Sequence, residues 1–289
     1  MNQKSYNGTP TLYLVPTPIG NLEDITIRSL NILKETDVIF CEDTRVTLTL
    51  LNHFDIKKKL IASHDHNEEQ TKQLMVDYLE KGKNIAIVTD RGTPIISDPG
   101  YKGVQYVIEK GYNVVGLPGP TALIPALIVS GIEPSPFLFY GFLDNKKTKR
   151  EKELLELKEL KTTIIFYESP HRIKKTMQSL LNIWGNRKIS ISREISKKFE
   201  EIYRGNIEDF IDLEAKGEFV LVIEGNKQNY AENKDVFIDI EDLIEEGYTK
   251  NQAIGKVSKK NKIDRNDLYK KYLNRKWLNE ISCWFRKSW

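Results

Sequence analysis

The stretch Val88-Thr-Asp-Arg-Gly-Thr-Pro-Ile-Ile-Ser-Asp-Pro-Gly-Tyr101 carries an apolar strand into a loop with two carboxylates, Asp90 and Asp98, two prolines and two glycines, ahead of a helix. A strand that ends in backbone locked by Gly and Pro is how α/β proteins hold a small ligand at the carboxyl edge of a sheet. No Gly-x-Gly-x-x-Gly turn and no Walker phosphate loop occurs in the chain. Asp90 and Asp98 would repel a pyrophosphate, so a ligand carrying positive charge fits this loop better than a dinucleotide.

Around this loop, apolar runs of strand length alternate with segments of helical period. Leu12–Val15, Val38–Cys41, Leu60–Ala62, Ile85–Val88 and Val114–Leu117 are separated by stretches such as Ile25–Glu35 and Glu68–Lys81, which predicts a βαβα chain with a mostly parallel sheet. A second set follows, with strands at Phe137–Tyr140, Thr163–Tyr167, Lys188–Arg193, Phe199–Gly205 and Phe219–Glu224. Its helices are expected at Lys147–Leu160, Pro170–Trp184 and Ile207–Ala215, and its closely spaced last strands suggest antiparallel hairpins. The sharp turn at Pro118-Gly119-Pro120 marks a boundary, and the polar, Asn-containing stretch Gly225–Lys234 reads as a linker. The expected organisation is an α/β domain over 11–118, a second over 119–226, a small basic helical domain over 236–276 and an extension over 277–289 of unknown role.

At 289 residues, 39% hydrophobic and 29% charged, the chain has the composition of a soluble globular protein, and it contains no apolar run long enough to cross a bilayer. Two cysteines, Cys41 and Cys283, are too few for a disulfide framework or a thiolate metal site, which makes the cytoplasm the expected compartment. His64-Asp65-His66 has the look of a metal pair, but no further ligand is spaced to complete it, so no metal is expected.

The net charge of +3 is unevenly placed. Residues 249–289 hold 12 Lys or Arg against 3 Asp or Glu, and Lys146-Lys147-Thr148-Lys149-Arg150 forms a second basic spot. Such clusters suit phosphate contacts, and equally suit a solvated surface. Thr249-Lys250-Asn251-Gln252 is a capping-box pattern, and Asp264-Arg265-Asn266-Asp267 starts a second helix. Two readings of this tail stand together: a basic helix-turn-helix that meets nucleic acid, or a helical hairpin that closes a core.

Five motifs stand in order: Val15-Pro-Thr-Pro-Ile-Gly-Asn21, Glu42-Asp-Thr-Arg45, Asp90–Tyr101, Pro118-Gly-Pro-Thr-Ala122 and Phe166-Tyr-Glu-Ser-Pro-His-Arg172. Together, over roughly Thr11 to Leu273 and including Lys216–Ile223, the chain resembles the ribosomal RNA small-subunit methyltransferase I family of the tetrapyrrole-methylase class. The resemblance implies two α/β domains of the class III methyltransferase type, with S-adenosyl-L-methionine in the cleft between them and a small helical C-terminal domain. It implies 2′-O-methylation of a cytidine ribose in 16S ribosomal RNA, within the assembled 30S subunit, by a homodimer. A sulfonium cofactor agrees with the carboxylate-bearing loop and requires no metal.

By similarity, the cofactor is expected to meet Pro16 and Gly20 of the first loop, Asp90, Thr93, Ile95, Ser97, Asp98 and Pro99 of the second, Gly119, Pro120, Thr121 and Ala122 of the turn, and Tyr167. Thr121-Ala122 opens a helix whose first amides could receive the methionyl carboxylate. Asp43 is the first candidate to accept a proton from, or orient, the ribose hydroxyl, with Arg45 on a neighbouring phosphate and Glu168 as a further catalytic candidate; an Asp–Arg pair that only positions the loop is an equal reading. Asn21, Arg28, Glu42, Thr44, His64, His66, Lys147, Arg150, His171 and Arg172 are expected to contact RNA.

Members of the family usually have Ala in place of Arg91 and His in place of Val46. Arg91 beside a cationic cofactor is therefore expected to point outward, toward an RNA phosphate. Two other functions share these features: a methylase of a tetrapyrrole or of a modified protein side chain, and an RNA-binding assembly factor whose cofactor site has decayed.

Overall fold

The computed structural model describes residues 3–5, 7–64, 66–227, 230–261, 264–270 and 272–273. Residues 277–289, read as an extension, and Asp65 lie outside them.

Four-residue runs such as Val38-Ile-Phe-Cys41 and Ile85-Ala-Ile-Val88 are apolar at every position, and such strands need cover on both faces. The first sheet supplies it. Strands β1 (Thr11–Leu14), β2 (Val38–Cys41), β3 (Lys59–Ala62), β4 (Ile85–Val88) and β5 (Asn113–Gly116) pair in parallel in the order β3-β2-β4-β1-β5. Their side chains alternate between two cores. Ile39, Cys41, Ala86 and Val88 pack with Leu33 of α1 (Ile27–Glu35) and Leu51 of α2 (Thr44–His53). Val38, Phe40, Ile85 and Ile87 pack with Met75 and Leu79 of α3 (Glu68–Glu80) and Val107 of α4 (Tyr101–Glu109). β1 and β4 lie side by side, yet β1 connects onward to β2 and β4 to β5, so their connections leave toward opposite edges. Diverging connections open a crevice at the carboxyl ends of the two strands.

The second sheet has the order β6-β7-β10-β8-β9, with β6 (Phe137–Gly141) and β7 (Thr163–Glu168) parallel. β8 (Lys188–Arg193), β9 (Glu201–Asn206) and β10 (Phe219–Ile223) pair antiparallel. One face packs on Leu154 of α6 (Lys147–Leu157) and on Met177, Leu180 and Trp184 of α7 (Ile173–Trp184). The other, with Ile165, Val220 and Val222, meets Ala126 and Leu127 of α5 (Leu123–Val129).

Several expectations change. Ile207–Ala215 is a single 3₁₀ turn, Ile207–Phe210, closed by a capping box between Asn206 and Asp209. Beyond Ile211 only Leu213 and Ala215 are apolar before Gly217, so no stripe continues the helix. β9 starts at Glu201 rather than Phe199, because residues 194–200 form a turn with positive φ at Glu194 and Ser196 and an exposed Phe199. α8 (Tyr230–Glu245) begins within the stretch read as a linker.

Residues 227–289 form a separate unit. In it Val236 and Ile240 of α8 pack with Ala253, Ile254 and Val257 of α9 (Lys250–Asn261) and with Leu268 and Tyr272. The Gln252 side chain accepts from the Thr249 amide and hydroxyl, and Asp264 accepts from the amides of Asn266 and Asp267, so both predicted helix starts carry a side-chain cap. Lys250, Lys256, Lys259 and Lys260 remain exposed.

Candidate active site at the carboxyl edge of the parallel sheet

Because all five strands of the first sheet are parallel, their carboxyl ends share one edge. Along it, in strand order, stand His64 and His66 after β3, Glu42 and Asp43 after β2, the Asp90–Gly100 loop after β4, the Pro16–Asn21 loop after β1 and the Leu117–Ala122 turn after β5.

Three of these loops are tied into one frame. The amides and carbonyls of Thr17 and Gly92 exchange hydrogen bonds, both 2.9 Å, and the Thr17 hydroxyl donates to the Thr89 carbonyl at 3.0 Å. The Thr93 hydroxyl donates to the Pro120 carbonyl at 2.9 Å. Gly119 lies so close to Pro16 that a Cβ there would sit 2.6 Å from the proline Cβ. Ile95 takes φ 79°, an outlier for a β-branched residue, in the middle of the second loop. Such strain persists only where surrounding contacts over-determine it.

The frame and the second sheet enclose a cavity of about 300 Å³. Of the residues expected to meet the cofactor, Thr93, Ser97, Asp98, Thr121, Ala122 and Tyr167 line it. Pro16, Gly119 and Pro120 belong to the frame behind it, Asp90 accepts the Asp43 amide at 3.2 Å, and Gly20 packs against Ser196 and Lys197. α5, the helix opened by Thr121-Ala122, has seven residues, and so short a helix offers little dipole to a carboxylate. Pro99 lines a smaller cavity of about 10 Å³ with Cys41, Glu42 and Ser63, and Asp98 lines both cavities. Burial pushes the Asp98 carboxyl above the usual carboxylate range against a hydrogen bond from Thr89, with the Asp90 charge adding to the rise. Asp90 is pushed up as well, again chiefly by burial.

Asp43 behaves differently. It caps α2 by accepting the Arg45 amide at 2.8 Å, and the Arg45 guanidinium grips it in a bidentate pair with contacts of 3.0 and 2.5 Å. These bonds hold its pKa at about 2, which makes it a weak proton acceptor. Arg45 itself is 89% exposed.

Other expected site residues are engaged inside the fold. Glu168 is buried, accepts from the Thr176 hydroxyl at 2.5 Å and the Ser169 amide at 2.8 Å, and pairs with Arg172. These bonds tie Glu168, a catalytic candidate from the sequence, to the start of α7, and it also lines the cavity. Arg172 also donates to the Leu143 carbonyl and is mostly buried, which removes it from the RNA contacts. Arg150 is corrected likewise: it is 3% exposed, and its guanidinium donates to Ser179 at 3.1 Å and the Asn145 carbonyl at 3.2 Å. Lys147, His171, His66, Arg28 and Asn21 stay exposed, and Glu42, Thr44 and His64 are half-buried. Asn21 caps the turn Leu22–Asp24.

Arg91 is exposed but not free to meet a phosphate unpaired. Its guanidinium pairs with Glu218 at 2.7 Å across to the second sheet, and Glu218 also pairs with Lys197, itself bound to Glu194. Pairing with Glu218 offsets the cation at the cavity wall, to which Arg91, Lys197 and Glu218 all belong. The sequence does not reveal Lys197, Phe142 or Ile195 as cavity residues, since none sits in a motif, and Glu218, inside the matched stretch Lys216–Ile223, carries no chemical signal of its own.

Two α/β lobes with a carboxylate-bearing cavity between a parallel and a mixed sheet define the class. The family model for Tetrapyrrole (Corrin/Porphyrin) Methylases matches residues 11–211. The solved structure of a diphthine synthase shares the fold, with TM-score 0.59 and 14% identity, covering 78% of this chain and 93% of that one. Within the class, the chain is 42% identical to ribosomal RNA small subunit methyltransferase I of Bacillus subtilis (strain 168), covering 93% of this chain and 97% of the relative. It is 48% identical to the protein of that name from Vibrio cholerae, covering 78% and 80%. The chain belongs to the ribosomal RNA small subunit methyltransferase I family.

Proposed function

We propose that this chain methylates the 2′-hydroxyl of a cytidine ribose in 16S ribosomal RNA. Its cofactor is S-adenosylmethionine, which supplies an electrophilic methyl group on a sulfonium centre. The residues fit this cofactor. Gly119 gives the close backbone approach behind the cavity, Tyr167, Phe142, Val220 and Ile195 offer an apolar wall, and Asp98 adds to the lining a carboxylate of the charge that suits a sulfonium.

The observation that carries the proposal is the position of Asp98 on both cavities, in the loop between β4 and α4, where it lines the smaller cavity together with Glu42. There it can orient the reacting hydroxyl and take its proton, a role for which its raised pKa suits it better than the Arg45-bound Asp43. Asp43 then serves by holding α2 and Arg45, whose exposed guanidinium faces an RNA phosphate. Lys147, His66, His171 and the lysines of α9 add sequence-independent attraction. The 2′-hydroxyl, as the reacting group, excludes DNA. The family resemblance supports an assembled 30S subunit as substrate, a homodimer as the working form and the cytoplasm as the compartment. No described helix is long and apolar enough to cross a membrane.

The test is acceptor class. Incubated with S-adenosylmethionine, the protein should form S-adenosylhomocysteine with small ribosomal subunits lacking their native modifications and none with uroporphyrinogen. Turnover with the tetrapyrrole alone would overturn the proposal.

A further inference from the structure

Glu68 opens α3 and is 8% exposed, yet no motif contains it and its carboxylate points away from its own helix. One oxygen, Oε1, accepts the amides of both Gly100 and Lys102, each at 3.1 Å, and Oε2 lies 3.5 Å from the Lys102 ammonium. α4 has no side-chain cap of its own, because its N-cap is Gly100 at φ 122°. Glu68 therefore supplies from a neighbouring helix the acceptor that the first turn of α4 lacks. The residues it fixes follow Asp98 and Pro99 directly.

The preceding residue, Asn67, holds the other side. Its side-chain Oδ1 accepts the His64 amide at 2.8 Å and its side-chain Nδ2 donates to the Ala62 carbonyl at 2.9 Å. The Ser63 and Thr71 hydroxyls bond at 3.0 Å alongside. The Nδ1 of His64 is buried without a hydrogen-bond partner among the described residues. The start of α3 thus grips two loops: the one that carries Asp98, and the turn after β3 that presents His64 and His66 at the same sheet edge.

We infer that Glu68 is a positioning residue that couples the cofactor loop to the His64–Asn67 turn, so that filling the cavity beside Asp98 favours the arrangement of that turn which meets RNA. The inference rests on the methyl-transfer reading above. Two ligands that favour one arrangement of a shared element must strengthen each other's binding reciprocally, commonly about 5- to 150-fold. A residue with a merely structural role would weaken both ligands without changing their ratio.

The experiment measures the affinity of the full chain for unmodified small subunits with and without saturating S-adenosylhomocysteine. The wild type should bind subunits at least about 5-fold more tightly when the product is present. Glu68→Gln, whose side-chain oxygen can still accept both amides, should keep most of that ratio. Glu68→Ala should bring it close to one while each ligand still binds separately, and Asn67→Ala, which cuts the opposite side of the link, should do the same and stands in if Glu68→Ala fails to fold. A wild-type ratio near one with both ligands bound, or an unchanged ratio in the alanine variants, would overturn the inference and leave the methyl-transfer reading intact. Absence of cofactor binding in the wild type would overturn both.

Discussion

Asp98 and Arg91 are seven residues apart in one loop, and their surroundings give them opposite roles. Asp98 is harder to ionise in the fold than in the unfolded chain, so its contribution to stability is present below the ordinary carboxylate range and is lost as pH rises through the raised value. Asp98→Asn should therefore raise the melting temperature of the cofactor-free protein at pH 7 to 8 and give no gain near pH 3. The same change should weaken S-adenosylmethionine by about tenfold or more, since an ionised acceptor is lost. Wild-type affinity should rise with pH through the Asp98 titration, and the variant's should stay flat, which calorimetry across pH would read. Arg91 spends its charge on Glu218 in a pair more than half exposed on both sides, and such pairs contribute about 0–1 kcal/mol. Arg91→Ala should leave cofactor affinity within about twofold of wild type; a large loss would show a direct contact.

Gly119 illustrates how the elements set the cavity. A methyl group there would overlap the ring of Pro16, and overpacking of this kind costs about 1–3 kcal/mol. Gly119→Ala should lower the melting temperature by a few degrees and weaken the cofactor, because it pushes apart the loops after β1 and β5. An unchanged melting curve would contradict the close approach. These loops were legible in the chain because Pro and Gly punctuate them, and β2 and β4 because unbroken apolar runs need cover on both faces. α2 was harder to foresee: Thr44–His53 carries three threonines and a valine, poor helix formers, and depends on the Asp43 cap and packing of Leu51. Arg150 and Arg172 show the limit of charge patterns, since a basic residue in a basic run reads as surface until its partners, 29 positions away for Ser179 and Leu143, are known. The bridge from Arg91 to Glu218 spans 127 positions and left no local trace.

Across the whole molecule, the cavity and the most basic segment of the sequence lie in different units of the chain. The unit of residues 1–226 holds the cavity, and the unit of residues 227–289 holds a small helical core with exposed lysines. Removing the chain after Lys227 should leave S-adenosylmethionine binding within about twofold and sharply weaken RNA binding, together with a shallower dependence on salt, because each lost phosphate contact reduces the slope of log affinity against log salt by about one. Equal RNA affinity and an unchanged salt slope in the truncated protein would assign the basic helices to closing their own core. The most direct measurement is transfer of labelled methyl from S-adenosylmethionine to small subunits lacking their native modifications, followed by alkaline hydrolysis of the RNA. A 2′-O-methyl group blocks cleavage at its own linkage, so the label is expected in an alkali-resistant dinucleotide beginning with cytidine. Label released in mononucleotides would place the methyl on a base and contradict ribose methylation by this site.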